Sequence, residues 1–249
     1  MVLTPEEKRK MSGQESGEKT VFYKLNEVTM SGDDGKFRLR EVLAEKNADG
    51  KYNIEDLGET IDGVILKMRW KLSRYDEPNK TFYNSTEYDS KWTDEVMVFP
   101  PRDRGSVEGM KEKHKLATQR VLYFYMPKKK QIVRLIVKAS ALSSEKNPKG
   151  EVGLFDYIDE FNETDTLVSD FITTAGSVYR ENLENKRKNH YAMHFKNGRP
   201  LTDSEKEKVE AMMIEVSEKT KRPTTSEEVA PQEREEEPKD DINSSEIPF

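Results

Sequence analysis

The stretch GVILKMRWKLSRY, Gly63 to Tyr75, constrains the fold more than any other. Val64, Leu66, Met68, Trp70 and Leu72 occupy one parity, and Ile65, Lys67, Arg69, Lys71, Ser73 and Tyr75 the other. Alternation sustained over about a dozen residues specifies a half-buried β-strand, because successive side chains of a strand point to opposite faces. Such a strand needs paired neighbours and a core beneath its apolar row, so the chain must build a sheet. Its outer row would carry Lys67, Arg69 and Lys71 at intervals of about 7 Å, two residues of strand rise apart. That ladder suits a run of phosphates; the competing reading is an ordinary solvated strand face.

A second β unit follows in RVLYFYMPKKKQIVRLIVKAS. Read as a hairpin, its strands have two registers to choose from, and a one-residue slip turns every side chain over. If facing residues sum to an odd number, Leu122, Phe124 and Met126 share an apolar face with Val133, Leu135 and Val137; an even sum sets Phe124 beside Arg134. The odd register is therefore expected, with Tyr123, Tyr125, Arg134, Ile136 and Lys138 on the other face and Lys128, Lys129 and Lys130 in the turn. Between the two units, NKTFYNSTEYDSKW is polar yet carries Phe82, Tyr83, Tyr88 and Trp92. As a loop or hairpin beside the cationic strand it offers rings for bases to stack on, or else it folds those rings onto the core. EVMVFP adds a short strand and KFRLREVL another, the latter with a short helix through Ala44 as its alternative; NADGKYN reads as a turn.

Helical spacing appears later. Leu154, Phe155, Ile158 and Phe161 fit a short helix, ahead of a mixed region reaching about Phe195. Thr202 and Glu205 make a capping box for a second helix, with Val209, Met212, Met213 and Val216 as its apolar stripe and Pro223 beyond its end. The expected fold class is mainly β with flanking helices (α+β). It divides into a mobile arm over 1–20, a nucleic-acid-binding domain with insertions over 21–200, an amphipathic helix over 201–222, and a disordered acidic tail over 223–249.

The tail follows from charge. With 36% charged against 33% hydrophobic residues, the chain has apolar material for one core and little more. Residues 223–249 hold nine acids against Arg234 and Lys239, a charge of −7, while the remaining 40 basic and 39 acidic residues leave the first 222 at +1. A block so charged, with four prolines, cannot bury enough surface to offset its ordering entropy.

Several classes of function lack their signatures. No apolar run approaches the roughly 18 residues that span a bilayer, and MVLTPEEKRK has no signal-peptide core, so a cytoplasmic protein without a membrane partner is expected. The absence of cysteine excludes disulfides, a thiol nucleophile and thiolate metal sites. The phosphate-cradling and nucleophile-elbow glycine motifs are missing too. His190 and His194 in HYAMH have the spacing of a helical metal pair but lack the intervening Glu and a third ligand. Asp156, Asp159 and Glu160 could hold Mg²⁺ in a nuclease, although a chain this acidic generates such clusters freely. No catalytic residue, metal or cofactor is expected.

The last ten residues, DDINSSEIPF, end the acidic tail on Ile-Pro-Phe. Pro248 stiffens the approach, the Phe249 ring is worth roughly 1.5–3 kcal/mol when buried, and the α-carboxylate beside it is open to capture by Arg or Lys. Asp240, Asp241, Ile242 and then Glu246, Ile247, Pro248 and Phe249 resemble the C-terminal tip of bacterial single-stranded DNA-binding proteins. Asn243, Ser244 and Ser245 depart from that family, which tends to have aspartate there. The resemblance implies an OB-fold-like five-stranded barrel that binds single strands with cations and stacked rings. GETIDGVILKMRW is similar to the opening strand of such a barrel, with Gly63 at a corner. On this basis Lys67, Arg69, Lys71, Tyr75, Tyr83, Tyr88, Trp92, Tyr123, Tyr125, Arg134 and Lys138 are expected to bind single-stranded DNA. Asp240, Asp241, Glu246, Ile247, Pro248 and Phe249 would recruit replication, recombination and repair proteins, in a bacterial or phage-infected cell. An adaptor that uses the tip without binding DNA, and a metal-dependent nuclease, stay open as alternatives, as does a homo-oligomeric state.

Overall fold

Strand β4 (Thr60–Asp76) realises the alternating stretch and begins three residues before it. It belongs to a computed structural model that describes residues 24–142, 152–180 and 190–220. The expected arm over 1–20 and the expected tail over 223–249, with the tip residues Asp240, Asp241, Glu246, Ile247, Pro248 and Phe249, lie outside the described residues. Along its length β4 pairs antiparallel with β10 (Phe171–Arg180) through Thr60–Gly63, with β8 (Ala117–Met126) from Val64 to Ser73, and with β5 (Thr81–Ser85) from Ser73 to Asp76.

The described chain is mainly β. Before β4 come β1 (Glu27–Met30), β2 (Phe37–Arg40) and β3 (Ile54–Gly58); after β5 come β6 (Glu95–Phe99), β7 (Asp103–Ser106) and helix α1 (Val107–His114). Strand β9 (Gln131–Val137), α2 (Leu154–Glu163), β11 (His190–Pro200) and α3 (Asp203–Lys219) complete it. The strand order is β3-β2-β1-β9-β8-β4-β5-β6-β7, with β10 on β4 and β11 on β10. All pairings are antiparallel except β1 with β9. Because β9 lies between β8 and β1, no β9–β11 pairing forms among the described residues and the sheet stays open.

The hairpin takes the odd register, Leu122 opposite Leu135 and Phe124 opposite Val133. Its apolar face joins Phe37, Leu39, Ile65, Ala175 and Phe195 in the main core, capped by Leu154, Tyr157 and Phe161 of α2. The opposite face packs Val64, Leu66, Val121 and Tyr123 under Val209 and Val216 of α3. The capping box holds: the Glu205 carboxylate accepts hydrogen bonds from the Thr202 N–H at 2.9 Å and its hydroxyl at 3.0 Å. A third cluster sets Leu72, Tyr88, Val96 and Val98 against Val107 and Met110 of α1.

Three expectations change. KFRLREVL forms β2 and then turns, so no helix runs through Ala44. The mixed region is two long strands, and His190 and His194 therefore lie about 13 Å apart along β11, four residues of rise, which removes the helical metal pair. Met68 and Trp70 do not share a face with Val64 and Leu66. Leu66 is an extra residue between Ile65, opposite Phe124, and Lys67, opposite Tyr123. This bulge reverses the parity, so Ile65 enters the main core and Val64 and Leu66 face α3.

Gly63 marks the passage of β4 from β10 to β8, where a Cβ would lie 2.4 Å from both the Phe124 ring and the Tyr125 carbonyl oxygen. Gly63→Ala is expected to lower the unfolding free energy by about 1–3 kcal/mol through overpacking. Urea denaturation of the variant measures this, and an unchanged midpoint would show that the approach is not tight.

Candidate nucleic-acid interface

After the bulge, alternation carries Lys67, Arg69 and Lys71 to the face of β4 that also holds Tyr123 and Arg134. Lys67 stands directly opposite Tyr123, and Tyr123 opposite Arg134. The two cationic rows seen in the sequence thus merge on one side of the sheet. They do not form an open track. Tyr88 is tied to β4 by reciprocal backbone bonds, Trp70 N–H to its carbonyl at 2.8 Å and its own N–H to the Trp70 carbonyl at 2.9 Å. Its ring enters the third core cluster. Its neighbours Glu87 and Asp89 must then point to the other face, where Arg69 lies.

The acids consume the arginines of this face. Arg69, only 6% exposed, donates from Nε to Asp89 at 3.0 Å and from Nη1 to the Thr220 carbonyl at 3.3 Å, with Glu87 at 3.8 Å. Glu87 accepts a 2.7 Å hydrogen bond from the Tyr123 hydroxyl and pairs with Arg134, which also donates to Glu27 at 2.9 Å. Lys67 donates to the Thr220 hydroxyl at 2.9 Å. Burial pushes the Glu87 carboxyl up, but Arg134, Tyr123, Arg69 and Lys71 together outweigh it and hold the group below its ordinary value. Burial likewise pushes the Tyr123 phenol up, reinforced by Glu87.

Of the other expected residues, Tyr125 is half-buried beside the α3 contact. Tyr88 is buried, and burial followed by the charge of Glu108 pushes its phenol up to about 12. Tyr83 is half-buried between Arg74, 5.2 Å from its ring centroid, and His114, at 6.3 Å. Tyr75 is 55% exposed at the far end of β4 against Phe82. Lys138 is exposed just past β9. Tyr88 and Tyr123 are therefore corrected from stacking residues to packed ones, their rings being enclosed by the sheet's neighbours.

Trp92, 79% exposed, belongs to a different feature. It lines a cleft of about 420 Å³ with Trp70, Lys91 and, from α1, Glu108 and Lys111. The Lys91 ammonium lies 4.3 Å from the Trp92 ring and the Arg120 guanidinium 3.7 Å from the Trp70 ring. The supporting loop is set by Asp94, whose carboxylate accepts from the Asp89 and Ser90 N–H groups at 2.8 and 3.2 Å. Sequence reasoning missed Trp70, which the alternation assigned to the core, and missed Lys91, Lys111, Arg120 and Glu108 entirely. Asp156, Asp159 and Glu160 are exposed on α2, and among the described residues no three His, Asp or Glu side chains are placed to hold a metal ion. No family model, curated protein or solved structure matches the chain.

Lys71 makes no ion pair among the described residues. Its burial, together with Arg134, pushes the ammonium down from 10.5 to about 8. The unfolded chain therefore holds this proton more tightly than the folded one, and the folded state gains stability as pH rises from about 8 to 10.5. Lys71→Met is expected to stabilise the protein by about 1–2 kcal/mol at neutral pH, allowing for partial solvent contact of the amine. That advantage should fade toward pH 10.5 in thermal denaturation; a destabilised variant at pH 7 would refute it.

Proposed function

We propose that the chain is a non-catalytic single-stranded DNA-binding protein that coats DNA in replication, recombination and repair and recruits partners through its C-terminal tip. One observation carries the DNA-binding half: both tryptophans of the chain line one open cleft with Lys91 and Lys111. Rings stack on any exposed base and ammonium groups donate to the phosphates, which is how unpaired strands are held without reading duplex grooves. Two further features support the reading. Within the open sheet, β4, β8, β9, β10 and β11, with α2 between β9 and β10, are read as the strands of a divergent, unclosed relative of an OB barrel, entered through a strand with a glycine at its turning point. The terminal Ile-Pro-Phe behind acidic residues is the ending that single-stranded DNA-binding proteins use for recruitment.

With only +1 on the first 222 residues and Arg69 and Arg134 already paired with acids, stacking supplies much of the affinity and the salt dependence is shallow. Fluorescence anisotropy with a labelled oligonucleotide should show binding to the single strand and far weaker binding to its duplex. Trp92→Ala removes an exposed ring and should weaken single-strand binding by about 5- to 100-fold, the worth of one stacked base. Equal affinity for strand and duplex, or an indifferent Trp92→Ala, defeats the proposal.

The pairing of Arg69 and Arg134 with acids also favours a second reading, an adaptor that docks on partners without holding DNA. Both readings give Phe249 the same role: Phe249→Ala should abolish capture of tip-binding replication and repair proteins on an affinity column. Retention of DNA affinity by that variant separates the binder from the adaptor, which would have none to retain.

A further inference from the structure

Within the cleft, the acidic side chains differ in what they have left to offer. Asp89 gives its two oxygens to Arg69 at 3.0 and 3.3 Å. Glu108, in the first turn of α1, accepts no hydrogen bond among the described residues; its nearest cation, Lys111, stands 3.9 Å away, beyond hydrogen-bonding reach. Its side chain is 44% exposed, and it lines the same cleft as the Trp70, Tyr88 and Trp92 rings. A base held in the cleft would therefore meet an acceptor with free lone pairs.

We infer that this cleft discriminates among bases, with Glu108 favouring those that present an exocyclic amino group, cytosine foremost, over thymine; the inference rests on the single-strand-binding reading above. The chemistry is that of acceptor and donor. Cytosine offers its N4 amino group, which a carboxylate accepts, whereas thymine offers O4 at the same place, and two acceptors repel. Stacking and phosphate contacts are indifferent to this difference, since every base has a π-face. Glu108 is thus the carboxylate in the cleft with lone pairs left to favour cytosine over thymine, and adenine, with its N6 amino group, falls on the favoured side.

The test compares oligo-dC, oligo-dT and oligo-dU of equal length on the full chain and on Glu108→Gln, at about pH 7.5 to keep cytosine neutral. The wild type should bind oligo-dC about tenfold more tightly than either oligo-dT or oligo-dU, the worth of one well-formed edge contact. In Glu108→Gln the ratio should fall toward one, while oligo-dT binds at least as tightly as before because the amide offers thymine O4 a donor where the carboxylate offered only acceptors. Equal affinities in the wild type, a ratio that Glu108→Gln leaves intact, or oligo-dU behaving like oligo-dC would each overturn the inference, the last by assigning the effect to the thymine methyl. Failure of the wild type to bind any of the three would instead remove the single-strand-binding reading, and the selectivity with it.

Discussion

Strand β4 serves three partners in succession, and that shared pairing organises the molecule. Its first residues belong to β10, its middle to β8 and its end to β5. A strand with one buried face can alternate indefinitely, but β4 must satisfy the α2-capped core on one side and α3 on the other. Val64, Ile65 and Leu66 are consequently all buried. The bulge at Leu66 reconciles these demands, since one extra residue lets Val64 and Leu66 face α3 around a core-facing Ile65 and then returns Met68 and Trp70 to the main core.

The same strand explains what was legible in the sequence. The β8–β9 register could be read because it depends on one local comparison, whether Phe124 or Arg134 would spoil an apolar face. The capping box and apolar stripe of α3 are local in the same sense. The bulge could not be read, since the alternation on paper runs through Leu66 without a break and only pairing with β8 reveals the extra residue. Strands β10 and β11 escaped notice because small and polar residues such as Thr173, Thr174, Gly176 and Ser177 blur the period. The cleft was legible in part: Trp92 stood out as an aromatic in a polar loop, but Trp70, Glu108 and Lys111 come from β4 and α1 and are joined to it only by the fold.

Electrostatics separates two surfaces that look alike in composition. On the face of Lys67, Arg69, Lys71 and Arg134, both arginines are paired with acids, and the partners Glu87 and Asp89 arrive there because they flank a tyrosine clamped to the strand. Desolvated charges held by converging hydrogen bonds are expensive to separate, so this face is built to persist. Around the cleft the charges are sparse and looser, Lys91 resting on an indole ring and Lys111 at 3.9 Å from its carboxylate. Such groups can exchange water for a ligand at small cost, which is the physical difference between charge that holds a fold and charge that greets a visitor.

That both indoles of the chain border one cavity has a spectroscopic consequence. Excited at its red edge, the protein emits from this neighbourhood alone, each fluorophore tuned by a cation against its face, Arg120 for one and Lys91 for the other. The molecule thus carries its own gauge: whatever enters the cavity must perturb the emission, and events confined to β1, β2 or β3 leave it dark to the observer.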